Sequence, residues 1–202
     1  FDETIRQKSS SGILIPDLIK KNGAIPGIKV DKGAKKLAGS PEETITEGLD
    51  GLRERLKEYY DLGARFTKWR AVYKIENRFP SMQCIKSNAH ALARYASLVQ
   101  ESNMVPIVEP EVLMDGEHDM EKCFKVTTSV LNECFNELEL HKVDLKGTVL
   151  KPNMILPGSG CEQKVESSEI AKKTLECLKK NVPSSVPSIA FLSGGQSEIE
   201  AS

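Results

Sequence analysis

The sequence predicts an α/β protein with parallel strands, and three observations predict it. Apolar, β-branched runs recur about every 40 residues, around Ile28, Trp69, Val108, Leu150 and Phe191, the length of one strand, one helix and two loops. Between the runs the pattern changes to apolar residues three and four apart, the helical period. Polar or charged residues stand at the carboxyl end of every run. Strands alternating with helices are joined by right-handed crossovers, which leaves an open doubly wound sheet or a closed (β/α)8 barrel. No G-x-G-x-x-G follows any run, so the barrel (a TIM barrel) is preferred. A complete barrel takes eight strands and about 250 residues, so a chain of 202 residues carries about five consecutive parallel strands of one.

The elements follow in order. The first run is Gly27-Ile28-Lys29-Val30-Asp31-Lys32-Gly33, and Ile45, Leu49, Leu52, Leu56 and Tyr59 predict the helix after it. Ser40-Pro41-Glu42-Glu43 reads as that helix's start, with a capping hydroxyl, a proline tolerated in the first turn and a glutamate able to close a capping box. The second run, Phe66 to Arg70, precedes a helix traced by Ala89, Leu92, Ala93, Ala96 and Val99. The third, Pro106 to Glu111, precedes one traced by Met120, Cys123, Phe124, Thr127, Leu131, Cys134, Phe135 and Leu138. The fourth, Thr148 to Asn153, precedes Ile170, Thr174, Leu175 and Leu178. The fifth, Ala190 to Gly195, leads into Gln196-Ser197-Glu198-Ile199, which resembles a helix opening. Gly158 to Lys164 reads as a polar loop and Ser184 to Ser188 as a short stiff connector. The chain opens on Phe1 and closes on Ser202 just after a new segment begins, so the expectation is an excerpt of a longer protein. Residues 1–202 would then form a single incomplete barrel domain, with strands before residue 1 and after residue 202 missing.

Composition bounds the function. Apolar residues make up 39% and glycine adds 14 residues, which suits a globular chain rather than a disordered one. Lys and Arg total 28 against 29 Asp and Glu, a formal charge of -1, so no net field favours nucleic acid or an anionic membrane. No run approaches the roughly 18 uncharged apolar residues of a membrane span. The five cysteines, Cys84, Cys123, Cys134, Cys161 and Cys177, have no close-spaced pair and fit free thiols in a reducing cytoplasm. Cys123, Cys134 and Cys177 sit in helical apolar stretches as core residues, not as catalysts. His90, His118 and His141 have no ligand-spaced partners along the chain, so no metal site is expected.

Chemistry in parallel α/β folds collects at the carboxyl ends of the strands. Side chains two apart on a strand share a face, so Lys29 and Asp31, Lys68 and Arg70, and Glu109 and Glu111 point together in pairs. An inward-facing cage of mixed charge is the expectation. Lys151 carries the most weight in it. It follows Thr148-Val149-Leu150 and precedes Pro152, which ends regular pairing. In a partly dry interior beside the Lys68 cation, an amine is pushed toward its neutral, nucleophilic form. Neutral lysine attacks a ketone or aldehyde and yields an iminium, an electron sink that permits cleavage or formation of the adjacent carbon–carbon bond. Glu109 and Glu111 could move the protons, provided their environments differ. Ser193-Gly194-Gly195 adds two glycines for close backbone approach, ahead of a helix opening whose free amides favour an anion.

These residues resemble the class I fructose-1,6-bisphosphate aldolase family. The resemblance rests on Gly27 to Gly33, Lys68-Trp69-Arg70, Val108-Glu109-Pro110-Glu111, Leu150-Lys151-Pro152-Asn153-Met154 and Phe191 to Glu198, in the family's order and spacing. It implies a glycolytic enzyme on a (β/α)8 barrel, usually a cytoplasmic homotetramer. The enzyme cleaves fructose 1,6-bisphosphate to dihydroxyacetone phosphate and glyceraldehyde 3-phosphate with neither metal nor cofactor. Carried over, Lys151 is the Schiff-base lysine and Glu109 the main acid and base, assisted by Lys68 and Glu111. Ser193, Gly194 and Gly195 hold the phosphate nearest the ketone, while Lys29, Asp31 and Arg70 line the substrate cleft. The family also uses an aspartate on an earlier strand, an arginine on the last strand and a tyrosine in a mobile tail, none of which has a counterpart in residues 1–202. Two other readings compete: a non-catalytic sugar-phosphate-binding or scaffold protein on the same fold, and another Schiff-base enzyme of the transaldolase kind.

Overall fold

Burial alternates strictly along Phe66–Tyr73: Thr67, Trp69, Ala71 and Tyr73 are buried, while Phe66, Lys68, Arg70 and Val72 are half-buried. That period of two is a strand with one face against a core and the other on a cleft. The computed structural model describes residues 2–78 and 80–201, without the side chains of Glu198 and Glu200. The helices are α1 (Asp2–Arg6), α2 (Ile15–Lys21), α3 (Leu52–Asp61), α4 (Met82–Glu101), α5 (Met120–Leu140), α6 (Ser167–Asn181) and α7 (Glu198–Ala201). The strands are β1 (Gly27–Lys29), β2 (Ala34–Leu37), β3 (Ser40–Thr46), β4 (Phe66–Tyr73), β5 (Val105–Val112) and β6 (Val149–Leu150).

Strands β1, β4, β5 and β6 form one parallel sheet in that spatial order, and β2 pairs with β3 as a separate antiparallel hairpin. Helices α3, α4 and α5 occupy successive crossovers, the arrangement of a partial (β/α)8 barrel. The buried face of β4 packs on α4, where Thr67 Oγ1 lies 2.7 Å from Tyr95 Oη and the Trp69 and Tyr95 rings sit 5.4 Å apart. Helix α4 starts where the sequence supplies a cap, the Ser81 hydroxyl accepting from Cys84 N. Helix α5 starts likewise, with the Asp119 carboxylate accepting from Lys122 N. Their apolar stripes, including Leu92, Val99, Leu131 and Leu138, are buried, as are Cys84, Cys123, Cys134 and Cys177.

Two elements differ from the sequence reading. Ser40-Pro41-Glu42-Glu43 opens a strand, not a helix, and the helix begins only at Leu52. The β-branched Thr44-Ile45-Thr46 run pairs with Ala34-Lys35-Lys36, and Asn88 of α4 secures it by accepting from Thr46 N (3.1 Å) and donating to Thr44 O (2.8 Å). The Glu43 carboxylate does bind the Ser40 hydroxyl (2.8 Å), but its other oxygen takes Ser81 N (2.7 Å), so it serves the start of α4. The fifth run forms a single parallel bridge, Leu150 to Ile189, and Phe191 is about half exposed.

Strand β6 is short for a reason written in β5. Val105 N and Leu113 N donate toward the β4 side, to Arg65 O and Tyr73 O, whereas Val108 O accepts from Lys151 N on the β6 side. Residues of even number in β5 therefore face β6, and two of them are Pro106 and Pro110, which have no N–H to give. The prolines bracket the paired stretch, and just beyond Pro110 the side chain of Asn153 takes over, its Oδ1 accepting from Val112 N (3.0 Å).

Candidate active site

The half-buried face of the sheet carries the charges. Lys68 on β4, Glu109 on β5 and Lys151 just past β6 meet at one carboxylate: Lys68 Nζ donates to Glu109 Oε2 (2.8 Å) and Lys151 Nζ to Glu109 Oε1 (2.8 Å). The Glu109 side chain is 2% exposed, while the two lysine side chains keep about a quarter of their surface, 28% and 24%. A carboxylate so buried is tolerated because each oxygen receives an ammonium hydrogen bond.

The neighbouring charges repeat the pattern. Arg70 Nε donates to Glu111 Oε2, and Lys29 Nζ donates to Asp31 Oδ1. Asp31 is further fixed by two backbone donors, Gly33 N (3.1 Å) and Arg70 N (3.2 Å). Register explains the pairing. Arg70 lies opposite Glu109 and Lys68 opposite Ile107, yet each cation binds a carboxylate two residues further along β5. The same diagonal shift in both pairs is what tilted barrel strands produce. Glu111 beside Arg70 raises the affinity of the guanidinium for its proton, against the opposing effect of burial, so Arg70 stays a fixed cation. Four cations thus face three carboxylates on this surface, an excess of one positive charge that suits an anionic ligand.

Ser193-Gly194-Gly195 forms a turn, Gln196 N donating to Ser193 O (3.1 Å). Gly194 and Gly195 have φ of +59° and +79°, and a Cβ on Gly194 would come within 2.7 Å of Leu156 Cδ1, while one on Gly195 would collide with Met114. Only glycine fits this turn without strain. Gly194 and Glu111 line one small cavity with Asn153 and Met154, which puts the turn at the Glu111 end of the site. Lys151, Glu109, Lys68, Arg70, Glu111, Lys29 and Asp31 form one continuous polar face along the sheet, with the glycine turn at its rim.

The family model for class-I fructose-bisphosphate aldolase, the glycolytic family, matches residues 1–202. The chain belongs to the class-I fructose-bisphosphate aldolase family. Among its relatives, a protein named probable fructose-bisphosphate aldolase class 1 from Xanthomonas campestris is 56% identical, over 98% of this chain and 59% of its own length. Cytosolic fructose-bisphosphate aldolase 4 of Arabidopsis thaliana is also 56% identical, over 100% of this chain and 51% of its own. The Plasmodium falciparum fructose-bisphosphate aldolase, solved in complex with TRAP and a small-molecule inhibitor, superposes with a TM-score of 0.97 at 46% identity, covering 100% of this chain and 58% of that one. The chain spans between half and three-fifths of the length of these aldolases.

Two buried polar residues were not singled out by the sequence reading. Asn153 was visible in its motif but not as a brace: besides holding Val112 N, it donates to Thr127 Oγ1 (3.0 Å) of α5. A buried amide directly after Lys151-Pro152 was the available signal. His118 is buried beside Gly116 with neither ring nitrogen bonded among the described residues, and burial lowers its proton affinity despite nearby Asp119. The Gly158 to Lys164 loop is tied down, with Gly158 N, Ser159 N and Gly160 N donating to His118 O, Met114 O and Gly116 O.

Proposed function

We propose that this chain carries the central catalytic face of a metal-independent aldolase, which cleaves fructose 1,6-bisphosphate to dihydroxyacetone phosphate and glyceraldehyde 3-phosphate through a Schiff base on Lys151. The observation that carries the reading is the single buried Glu109 carboxylate shared by Lys151 and Lys68, each at 2.8 Å.

The steps follow from that arrangement. Glu109 accepts a proton from the Lys151 ammonium, and the freed amine attacks the substrate ketone carbon to give a carbinolamine. Glu109, now a carboxylic acid, returns its proton to the carbinolamine hydroxyl, which leaves as water and yields the iminium. Glu109, again a carboxylate, takes the proton of the hydroxyl on the fourth carbon, and the bond between the third and fourth carbons breaks, its electron pair passing into the iminium to form an enamine. Glyceraldehyde 3-phosphate departs. Glu109 gives that proton to the third carbon of the enamine, and water then hydrolyses the regenerated iminium to release dihydroxyacetone phosphate and the Lys151 ammonium, restoring the starting ion pair. Lys68 holds Glu109 in place and tempers its charge, and Arg70 with Glu111 keeps the flank fixed. The Ser193-Gly194-Gly195 turn and the cations Lys29 and Arg70 grip the phosphates, for which Asp31 orients Lys29. The relatives' names support a cytosolic location, and the family resemblance supports a homotetramer.

The deciding experiment is borohydride reduction of the full-length protein with dihydroxyacetone phosphate, read by peptide mass. One adduct on Lys151 is expected, and Lys151→Ala should abolish it and lower turnover on the order of 10³-fold or more. An adduct on another lysine, or none, overturns the reading.

A further inference from the structure

On the far side of the helical layer, three metal-ligating side chains from two elements converge. His90 lies on the exposed side of α4, Glu137 in the last turn of α5, and His141 at that helix's C-terminal cap. His90 Nδ1 is 3.0 Å from Glu137 Oε2, His141 Nδ1 is 3.4 Å from the same oxygen, and the two imidazole rings stand edge to face at 4.9 Å. One ligand atom from each residue fits within a span of 4.8 Å.

We propose that His90, Glu137 and His141 form a binding site for a borderline divalent transition metal, with zinc as the best fit, distinct from the aldolase site and independent of that reading. The donor set is two imidazoles and a carboxylate, which suits Zn²⁺, Co²⁺ or Ni²⁺ better than Mg²⁺ or Ca²⁺. Ligand atoms about 2.0–2.1 Å from a tetrahedral ion lie roughly 3.3 Å from one another, and the 3.0 Å separation of His90 Nδ1 and Glu137 Oε2 is already close to that edge. His141 is also prepared as a ligand should be. Its Nδ1 lies 2.9 Å from the Glu137 carbonyl, so an Nδ1–H donated there leaves Nε2 with its lone pair for the ion. The carboxylate is the best-shielded of the three, with a side chain 17% exposed against 51% for His90 and 22% for His141, so the ion would be reached from the solvent side. Three protein ligands leave a fourth position for water. The opposing influence is Arg94, one turn beyond His90, which lines the hollows on either side together with His90 and with His141. The ion would cross-link α4 to the C-terminal end of α5, so it acts as a staple between neighbouring barrel helices.

Cobalt titration of the metal-stripped full-length protein tests this. Wild type should show saturable binding at one equivalent, with visible d–d bands of low-symmetry Co²⁺ that excess Zn²⁺ displaces. His90→Asn, at an exposed helix position, should weaken binding about tenfold or more, and Glu137→Gln should do the same. Arg94→Gln should tighten it. Absence of saturable binding in the wild type overturns the proposal, as does binding indifferent to His90→Asn. A thiolate charge-transfer band that vanishes in Cys161→Ser would assign the ion to that half-exposed cysteine and likewise overturn it. Borohydride trapping at Lys151 should be identical with and without the ion, so the two sites succeed or fail separately.

Discussion

At the scale of single residues, Glu109 is the centre of the proposed chemistry and Glu43 of the local fold. Glu109→Gln keeps the volume but leaves Lys68 and Lys151 facing an amide that cannot accept their protons. Turnover of the full-length protein should fall about 10² to 10⁴-fold, with the folded state intact by circular dichroism. Glu43 makes a prediction about acid. Burial works to raise its pKa, but the hydrogen bonds from the Ser81 hydroxyl, Ser81 N and the Ser40 hydroxyl outweigh that, so its net pKa in the fold lies below the ordinary 4.5. A carboxyl depressed in the folded state contributes stability that is complete above its unfolded value and drains away as pH falls through the folded one. Glu43→Gln should therefore lower the thermal midpoint at pH 7, by about 1–3 kcal/mol of stability, and the gap to wild type should narrow steadily below pH 4.5. A gap that stays constant to pH 3 would contradict the assigned cause. The charged face was legible at this scale because strand alternation is rigid: residues two apart share a side, and Lys68 with Arg70 and Glu109 with Glu111 do. The His90 cluster was not legible, because its members are brought together by packing across 47 residues of sequence.

At the scale of elements, the hairpin shows how a local signal can be genuine and still mislead. Ser40 and Glu43 make the side-chain contact that a capping box would use, but Thr44, Ile45 and Thr46 prefer an extended backbone, and α4 offers Asn88 and Ser81 as partners that no helix starting at Pro41 could reach. Tertiary partners overrode the helical reading. The glycine turn after β6 and its bridge is the opposite case, because its backbone conformation and close neighbours require glycine. Gly195→Ala forces a side chain into a left-handed residue and against Met114. It should cost about 1–2 kcal/mol and raise KM for the bisphosphate several-fold with a smaller effect on kcat. An unchanged KM would separate this turn from phosphate binding.

At the scale of the whole molecule, the reactivity of the thiols reports how the layers close. Cys84, Cys123, Cys134 and Cys177 are buried under helices, and burial pushes the Cys84 and Cys134 thiols up to about 12. Cys161 alone is half-exposed. A thiol-reactive dye should label Cys161 rapidly in the native full-length protein and the other four positions of this segment only on unfolding, which peptide mapping would resolve. Rapid native labelling of Cys134 would mean that the α5 layer opens far more easily than its packing indicates. The order of strands and helices was legible because each repeats one pattern along the chain. Their lateral fit was not, since the length of β6 depends on prolines in its neighbour.

Those prolines carry a consequence for evolution and engineering alike. With Pro106 and Pro110 silent on the β6 side, that boundary is held by a few bonds and by the Asn153 amide. A slip of one position there would turn Lys151 to the opposite side of the sheet, away from Glu109. Loosening the Asn153 brace, by Asn153→Leu for instance, should thus silence the amine while much of the scaffold survives, making enzymatic turnover a sensitive gauge of strand alignment.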